Sequence, residues 1–194
     1  MIVLASKSAS RRAMLDAAGV DYESVPAALD ERAIEAGLAG CQPGEVAEAL
    51  SVAKAQAVAA RHKGRLVLGS DSLVVCNGVR FDKPATREQA AEHLRLFSGQ
   101  VMELHSAAAL VRDHGCEWSA SSLARLHVRK LSEGFIAQYL DAEWPEVGHC
   151  VGVFRIEGLG VQLFEAIEGD QFTVLGMPLL GVLAALRDLG ELPA

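Results

Sequence analysis

Aromatic residues make up only 5% of this 194-residue chain, and its four cysteines, Cys41, Cys76, Cys116 and Cys150, share no close spacing. That scatter excludes a Cys-x-x-Cys zinc site and a disulfide framework, and it fits a reducing, cytoplasmic setting. Lys/Arg-rich runs are lacking and the formal charge is −7, so the basic stripe that a nucleic-acid duplex requires is missing. No apolar stretch is long and uncharged enough to span a bilayer, and Met1 to Ser6 is too short for a signal-peptide core. The six histidines show no metal-ligand spacing, and neither a Gly-x-Ser-x-Gly elbow nor a Walker A loop occurs. What remains is an ordinary soluble globular composition, long enough to bury a core as one domain over residues 1–194. Local positive charge can still serve a small anion.

The pattern along the chain is mixed α/β. Ile2 to Ala5 reads as a short buried strand, followed by a polar connection, a helix from Arg11 to Ala18, and a second strand from Tyr22 to Val25. Ala27 to Cys41 is expected to be irregular. Pro43 near the start, with Glu45 and Glu48 at the positive end, predicts a helix to Arg61. Leu66 to Leu68 reads as a buried strand, and Asn77-Gly78 as a type I′ hairpin turn between Leu73–Cys76 and Val79–Phe81. Thr86 opens a capped helix to about Phe97. Val101–Arg112 and Glu117–Val128 alternate as a long antiparallel pair. A helix from Ser132 to Asp141, a strand pair over Val151–Ile156 and Val161–Ile167, and a last helix from Pro178 to Gly190 complete the order.

Charged residues stand at the expected strand ends, where an α/β domain opens onto a shared crevice. Arg11 and Arg12 fall in a helix's first turn, against the macrodipole, and an arriving phosphate would resolve that conflict through bidentate guanidinium contacts. The plain alternative is a Ser8 or Ser10 N-cap beside solvated arginines. Asp71, just past an apolar strand, suits a general base or a cation ligand; a turn-forming Asp held by backbone N–H groups is the bland reading. Glu31 offers a second carboxylate, or a solvated loop charge. Lys83, steered by Pro84 toward an extended conformation, and Lys54 inside the Pro43 helix suit phosphate as point charges, though a surface lysine is the default. The glycines around Gly158 and Gly176 read most simply as turns.

Taken together, Leu4-Ala5-Ser6…Arg11-Arg12, Asp30-Glu31, Lys54-Ala55, Gly69-Ser70-Asp71, Lys83-Pro84, Ser98-Gly99, Glu157-Gly158, Glu168-Gly169-Asp170 and Gly176-Met177-Pro178-Leu179 resemble the Maf family over nearly the whole chain. These are septum-formation-inhibitor-like nucleoside triphosphate pyrophosphatases. The resemblance implies an elongated α/β fold with a strongly bent mixed sheet flanked by helices, and two lobes about a central cleft. It implies hydrolysis of a nucleoside triphosphate to the monophosphate and pyrophosphate with a divalent cation, Mg²⁺ or Mn²⁺. By the same resemblance Asp71 is the catalytic proton acceptor, Glu31 joins Asp71 around the metal, and Ser6, Arg11, Arg12, Lys54 and Lys83 hold the triphosphate. Family members are often homodimers.

The usual Ser-Pro-Arg-Arg is replaced by Ser8-Ala9-Ser10-Arg11-Arg12, and Glu157 stands where the dTTP/UTP branch carries Gln. Both look like the branch acting on 7-methyl-GTP, whose guanine edge a carboxylate can accept from. Ser72, where that branch often has Gln, and Met102, where many members have His, depart from it. Ser10, Ser72 and Glu157 are therefore the expected determinants of base preference. A different class of reading, a non-catalytic nucleotide-binding regulator of septum formation, lacks a use for a base beside the phosphates. A serine hydrolase using Ser6 or Ser70 lacks a base partner.

Overall fold

In the computed structural model, which describes residues 1–193, the chain packs as two compact units, each assembled from separated stretches. Met1–Ser72, His105–Ser122 and the stretch from Asp170 onward form the first; Leu73–Leu104 and Leu123–Gly169 form the second. The strands are β1 (Ile2–Leu4), β2 (Tyr22–Ser24), β3 (Leu66–Cys76), β4 (Val79–Phe81), β5 (Val101–Arg112), β6 (Gly115–Val128) and β7 (Phe164–Glu168). The helices are α1 (Ala9–Ala17), α2 (Glu31–Ala36), α3 (Pro43–Ala59), α4 (Arg87–Phe97), α5 (Glu133–Glu143), α6 (Gln171–Val174) and α7 (Leu179–Asp188). Pairing runs β2-β1-β3-β5-β6-β7, with β4 added to β3. β1 is parallel to both β2 and β3, whereas β4 and β7 pair antiparallel, so the mixed α/β class is borne out.

In the first unit the two-residue period of the strands sorts the core into two layers. Ile2, Leu4, Leu66, Leu68, Ala108 and Leu110 pack with Met14 and Leu15 of α1 and with Val182 and Leu186 of α7. The alternate positions Val3, Ala5, Val67 and Val111 pack with Ala55, Val58 and Ala59 of α3. Leu4, Leu15, Leu66 and Leu68 are each at most 1% exposed, and burying one such leucine contributes roughly 1.5–3 kcal/mol. The small residues of α3 let that helix lie close to the strands. α1 begins at Ser8, whose hydroxyl accepts from the Arg11 N–H. The Gln42 N–H donates to Glu45 at 2.8 Å, closing the start of α3.

In the second unit Asn77 and Gly78 both hold positive φ, as a type I′ turn demands, and join the paired β3 and β4 ends. Thr86 and Ser132 cap α4 and α5 as expected. β7 pairs with β6 in the register Leu126↔Ile167.

Four expectations change. The first is Val161–Ile167, which begins inside a 3-10 turn over Leu159–Leu163, becomes strand only from Phe164, and pairs with β6. Ala27 to Cys41 contains α2, because the Asp30 side chain accepts from the Ala33 N–H and caps a helix too short and too exposed to show apolar periodicity. Val151–Ile156 is not a strand: Gly152 and Val153 sit at φ +82° and +58°, which breaks the alternation. Burial of Val153 and Phe154 produces the apolar pattern there without a ladder, and Tyr139 Oη donates to the Val153 carbonyl at 3.0 Å. Finally, β3 does not stop at Gly69 but continues to Cys76, so Asp71 lies inside its own strand.

Candidate active site

Asp71 nevertheless stands at a strand end, that of its neighbour. The parallel register pairs Leu4 with Leu68, and β1 ends there, so β3 runs on unaccompanied on that side and carries Ser70, Asp71 and Ser72 beyond it. The pleat then sends these three side chains to opposite faces. Asp71 follows Val67 and Gly69 onto the α3 face; Ser70 and Ser72 follow Leu66 and Leu68 onto the face of α1 and α7.

On the α3 face the deciding residue is Gly69. A Cβ there would lie 2.0 Å from the Ser51 carbonyl oxygen and 2.8 Å from the Ala55 nitrogen, so only glycine lets α3 approach this closely. The approach delivers Lys54, whose Nζ is 2.5 Å from Asp71 Oδ1 and 3.0 Å from Glu31 Oε2. Glu31 comes from the first turn of α2. The Lys54 and Asp71 side chains are only 12% and 10% exposed, while Glu31 is 46% exposed. Two carboxylates from distant segments thus converge on one cationic centre.

On the opposite face Arg11 reaches across from α1. Its Nε donates to the Gly176 carbonyl at 3.0 Å, Nη2 to Ser72 Oγ at 3.1 Å, and Nη1 to Ser6 Oγ at 3.5 Å. Gly176 holds φ +99°, and a Cβ on it would come within 3.2 Å of Ser72 Oγ. Ser6 also accepts the Ser8 N–H, and its carbonyl accepts from Ser24 Oγ at 2.7 Å, so the connection between β1 and α1 is tied down. Burial pulls the Arg11 guanidinium below its ordinary value, with Asp71 and then Glu31 acting in the other direction. A guanidinium remains charged through such a shift. Arg11, Lys54, Asp71 and Glu31 form a balanced cluster of two cations and two anions in one electrostatic neighbourhood.

Of the remaining expected residues, Arg12 is exposed; burial and then Asp16 push the Tyr22 hydroxyl above its ordinary value, and the Arg12 charge opposes them. Ser10 is half-buried in the first turn of α1. Lys83 and Glu157 belong to the second unit and are exposed. There they act on Cys150: burial pushes its thiol up, Glu157 adds to this, and Lys83 opposes it.

Several participants had no distinctive signal in the chain. Gly176 reads as a turn residue, yet its carbonyl anchors Arg11. Ser70 is fully buried and donates to that same carbonyl at 3.1 Å, which leaves it no part as a nucleophile. Ser106, inside β5, is fully buried and 3.0 Å from Ser72 Oγ. Among the described residues no helix is long and apolar enough to cross a membrane, and no group of three His, Cys, Asp or Glu side chains could by itself hold a metal ion.

Comparison with known proteins places the chain in a family. The family model described as Maf-like protein matches residues 1–189. A nucleoside triphosphate pyrophosphatase of Nitrobacter hamburgensis is 46% identical over 98% of this chain and 95% of its own length. A 7-methyl-GTP pyrophosphatase of Mesorhizobium japonicum is 47% identical over 98% of this chain and 97% of its own. Another 7-methyl-GTP pyrophosphatase, from Rhizobium meliloti, is 44% identical over the whole of this chain and 98% of its own.

Proposed function

The chain belongs to the Maf family, and we propose that it hydrolyses nucleoside triphosphates between the α and β phosphates, releasing the monophosphate and pyrophosphate. The observation that carries this reading is the convergence of Asp71 and Glu31 on the Lys54 ammonium, with the Arg11 guanidinium within their electrostatic reach. A site that only bound nucleotide would have no use for carboxylates among its phosphate-binding cations.

In the proposed reaction the Asp71 carboxylate takes a proton from water as the water oxygen bonds to the α phosphorus. The bond from that phosphorus to the bridging oxygen breaks, and pyrophosphate leaves with the electron pair. Lys54 fixes the direction of the Asp71 carboxylate through its short contact. Arg11 and Lys54 supply positive charge where the phosphoryl oxygens gain negative charge, and such fixed charges are worth most when already in place. Ser6 and the first turn of α1 add a hydroxyl and helix N–H groups suited to phosphate.

Asp71 and Glu31 fit a divalent cation such as Mg²⁺ or Mn²⁺. Mg²⁺ is commonly held by one or two carboxylates, completing its shell with water and substrate phosphates, and here two carboxylates already share one positive partner. Once bound, the ion would neutralise charge on the phosphoryl oxygens. Lys83 and Arg12 are proposed as further phosphate cations. Homodimer formation and a cytoplasmic setting belong to the same proposal; four free thiols support the reducing compartment.

An initial-rate screen of nucleoside triphosphates with Mg²⁺ or Mn²⁺, assaying released pyrophosphate, tests the reaction. Orthophosphate as first product would exclude cleavage at the α–β bond. The screen should include 7-methyl-GTP, since relatives of about equal similarity carry that name. Glu157 is proposed to accept from the guanine N1–H and amino group. Glu157→Gln should then lower kcat/KM for 7-methyl-GTP about tenfold or more relative to UTP, the scale of a lost charge-assisted hydrogen bond. An unchanged ranking would return Glu157 to an exposed loop carboxylate.

A further inference from the structure

The face of β3 opposite Asp71 carries a continuous line of hydroxyls. Besides its contact with Arg11 Nη2, Ser72 Oγ lies 3.0 Å from the Gly176 carbonyl oxygen and 3.0 Å from Ser106 Oγ. Ser106 Oγ donates to the Thr173 carbonyl at 2.8 Å, and Thr173, fully buried in α6, is held by Asp170 and Ser122.

Proton bookkeeping gives this line a direction. A carbonyl oxygen has two lone pairs, and a hydroxyl has one proton. The Gly176 carbonyl receives the Arg11 Nε–H and the Ser70 hydroxyl, which fills it. Ser106 spends its proton on Thr173. The Ser72 proton therefore goes to Ser106, and Ser72 presents a lone pair to Arg11. In this arrangement the hydroxyl protons of Ser70, Ser72 and Ser106 all have acceptors.

Three of the five guanidinium N–H groups are engaged by Gly176, Ser72 and Ser6. Each terminal nitrogen carries a second N–H beyond these contacts, and a phosphate can take that pair. Rotation about the side-chain bonds would spoil that pair, and the Gly176–Ser72 edge prevents it.

We propose that Ser72 and Ser106 are positioning residues for Arg11, and that Ser72 in this chain sets the grip on phosphate instead of reading the base. The proposal reverses the expectation that Ser72 is a determinant of base preference. It rests on the pyrophosphatase reading for its kinetic consequences, though not for its binding consequence.

Inorganic tripolyphosphate separates the two roles, because it has no base. Calorimetric titration of the full chain with tripolyphosphate should show Ser72→Ala binding about tenfold more weakly, the size of one lost hydrogen bond to a charged group. Ser72→Thr, which keeps the hydroxyl, should restore most of that loss. In turnover assays Ser72→Ala should lower kcat/KM by a common factor for all nucleoside triphosphates. Ser106→Ala should cause a smaller loss in the same direction, and the double variant should be no weaker than Ser72→Ala alone. Melting temperatures establish that the variants are folded. Unchanged tripolyphosphate affinity in Ser72→Ala, with an altered ranking of bases, would overturn the proposal. If the unaltered protein released pyrophosphate from no triphosphate while Ser72→Ala still lost tripolyphosphate, the functional reading would fall and the positioning role would stand.

Discussion

Asp71→Asn should leave nucleoside triphosphate binding measurable while hydrolysis falls by about 10²–10⁴-fold, the usual contribution of a positioned general base. The substitution is nearly isosteric. An amide oxygen can still accept from the Lys54 ammonium, and Lys54 keeps Glu31 as its charged partner at 3.0 Å. Folding should therefore change little. What disappears is the capacity to take a proton, together with one negative charge facing the phosphates. Removing that charge should hold or tighten binding of the anionic substrate, so KM should not rise in step with the loss of turnover. Steady-state assay of released pyrophosphate, with calorimetric titration of the same variant, measures both. Turnover within a few-fold of the unaltered protein would remove Asp71 from the proton-transfer role.

Gly69→Ala should damage the enzyme from a position that touches no substrate. Real Cβ atoms essentially never approach other atoms within 3.0 Å, and here the new methyl would begin 2.0 Å from the Ser51 carbonyl oxygen. That oxygen belongs to the backbone of α3, so no side-chain rotation relieves the clash and the helix must retreat by about 1 Å. Overpacking of this kind costs about 1–3 kcal/mol, a fall in melting temperature of about 2–12 °C for a chain of this size. The same displacement draws Lys54 away from Asp71, and misplacing catalytic groups by 1 Å can cost about 10²-fold in rate. Thermal unfolding and kcat should thus fall together. A variant with unaltered melting temperature and kcat would show that α3 can shift without consequence, and that the Lys54–Asp71 contact does not matter.

The two variants differ in kind. Asp71 is legible from sequence because a carboxylate just past an apolar strand, flanked by small residues, calls for a reason. Gly69 is not, since its importance resides in what lies opposite. The same division holds for the arginine pair. Arg11 and Arg12 are adjacent in the chain and equal by residue type, but helical geometry turns them about 100° apart. Arg11 joins the Ser6–Ser72–Gly176 cluster, and Arg12 is exposed near Tyr22. Spacing alone could not separate them.

The misread elements follow the same rule. The apolar strand reading stops at Leu68 because Gly69 and Asp71 are residue types depleted in strands. Tertiary contacts reverse that preference: the glycine accommodates α3, Ser70 donates to the Gly176 carbonyl, and Ser72 meets Arg11 and Ser106. Val151–Ile156 was expected to be a strand because its apolar residues alternate, but they are buried in turns, with Val153 in the left-handed region.

By itself the sequence determined the mixed α/β order, the capped helices, the hairpin turn at Asn77-Gly78 and the cast of charged residues, because each follows from short-range periodicity, local hydrogen bonding or residue chemistry. Only the tertiary structure decided which of those charges meet. The pleat of β3 sends Asp71 to Lys54 and Ser72 to Arg11, and the absence of a single side chain at Gly69 sets the distance at which the first of these pairs can form. Such meetings depend on which face a residue occupies and on how closely two backbones pack, and both are properties of segments far apart in the chain.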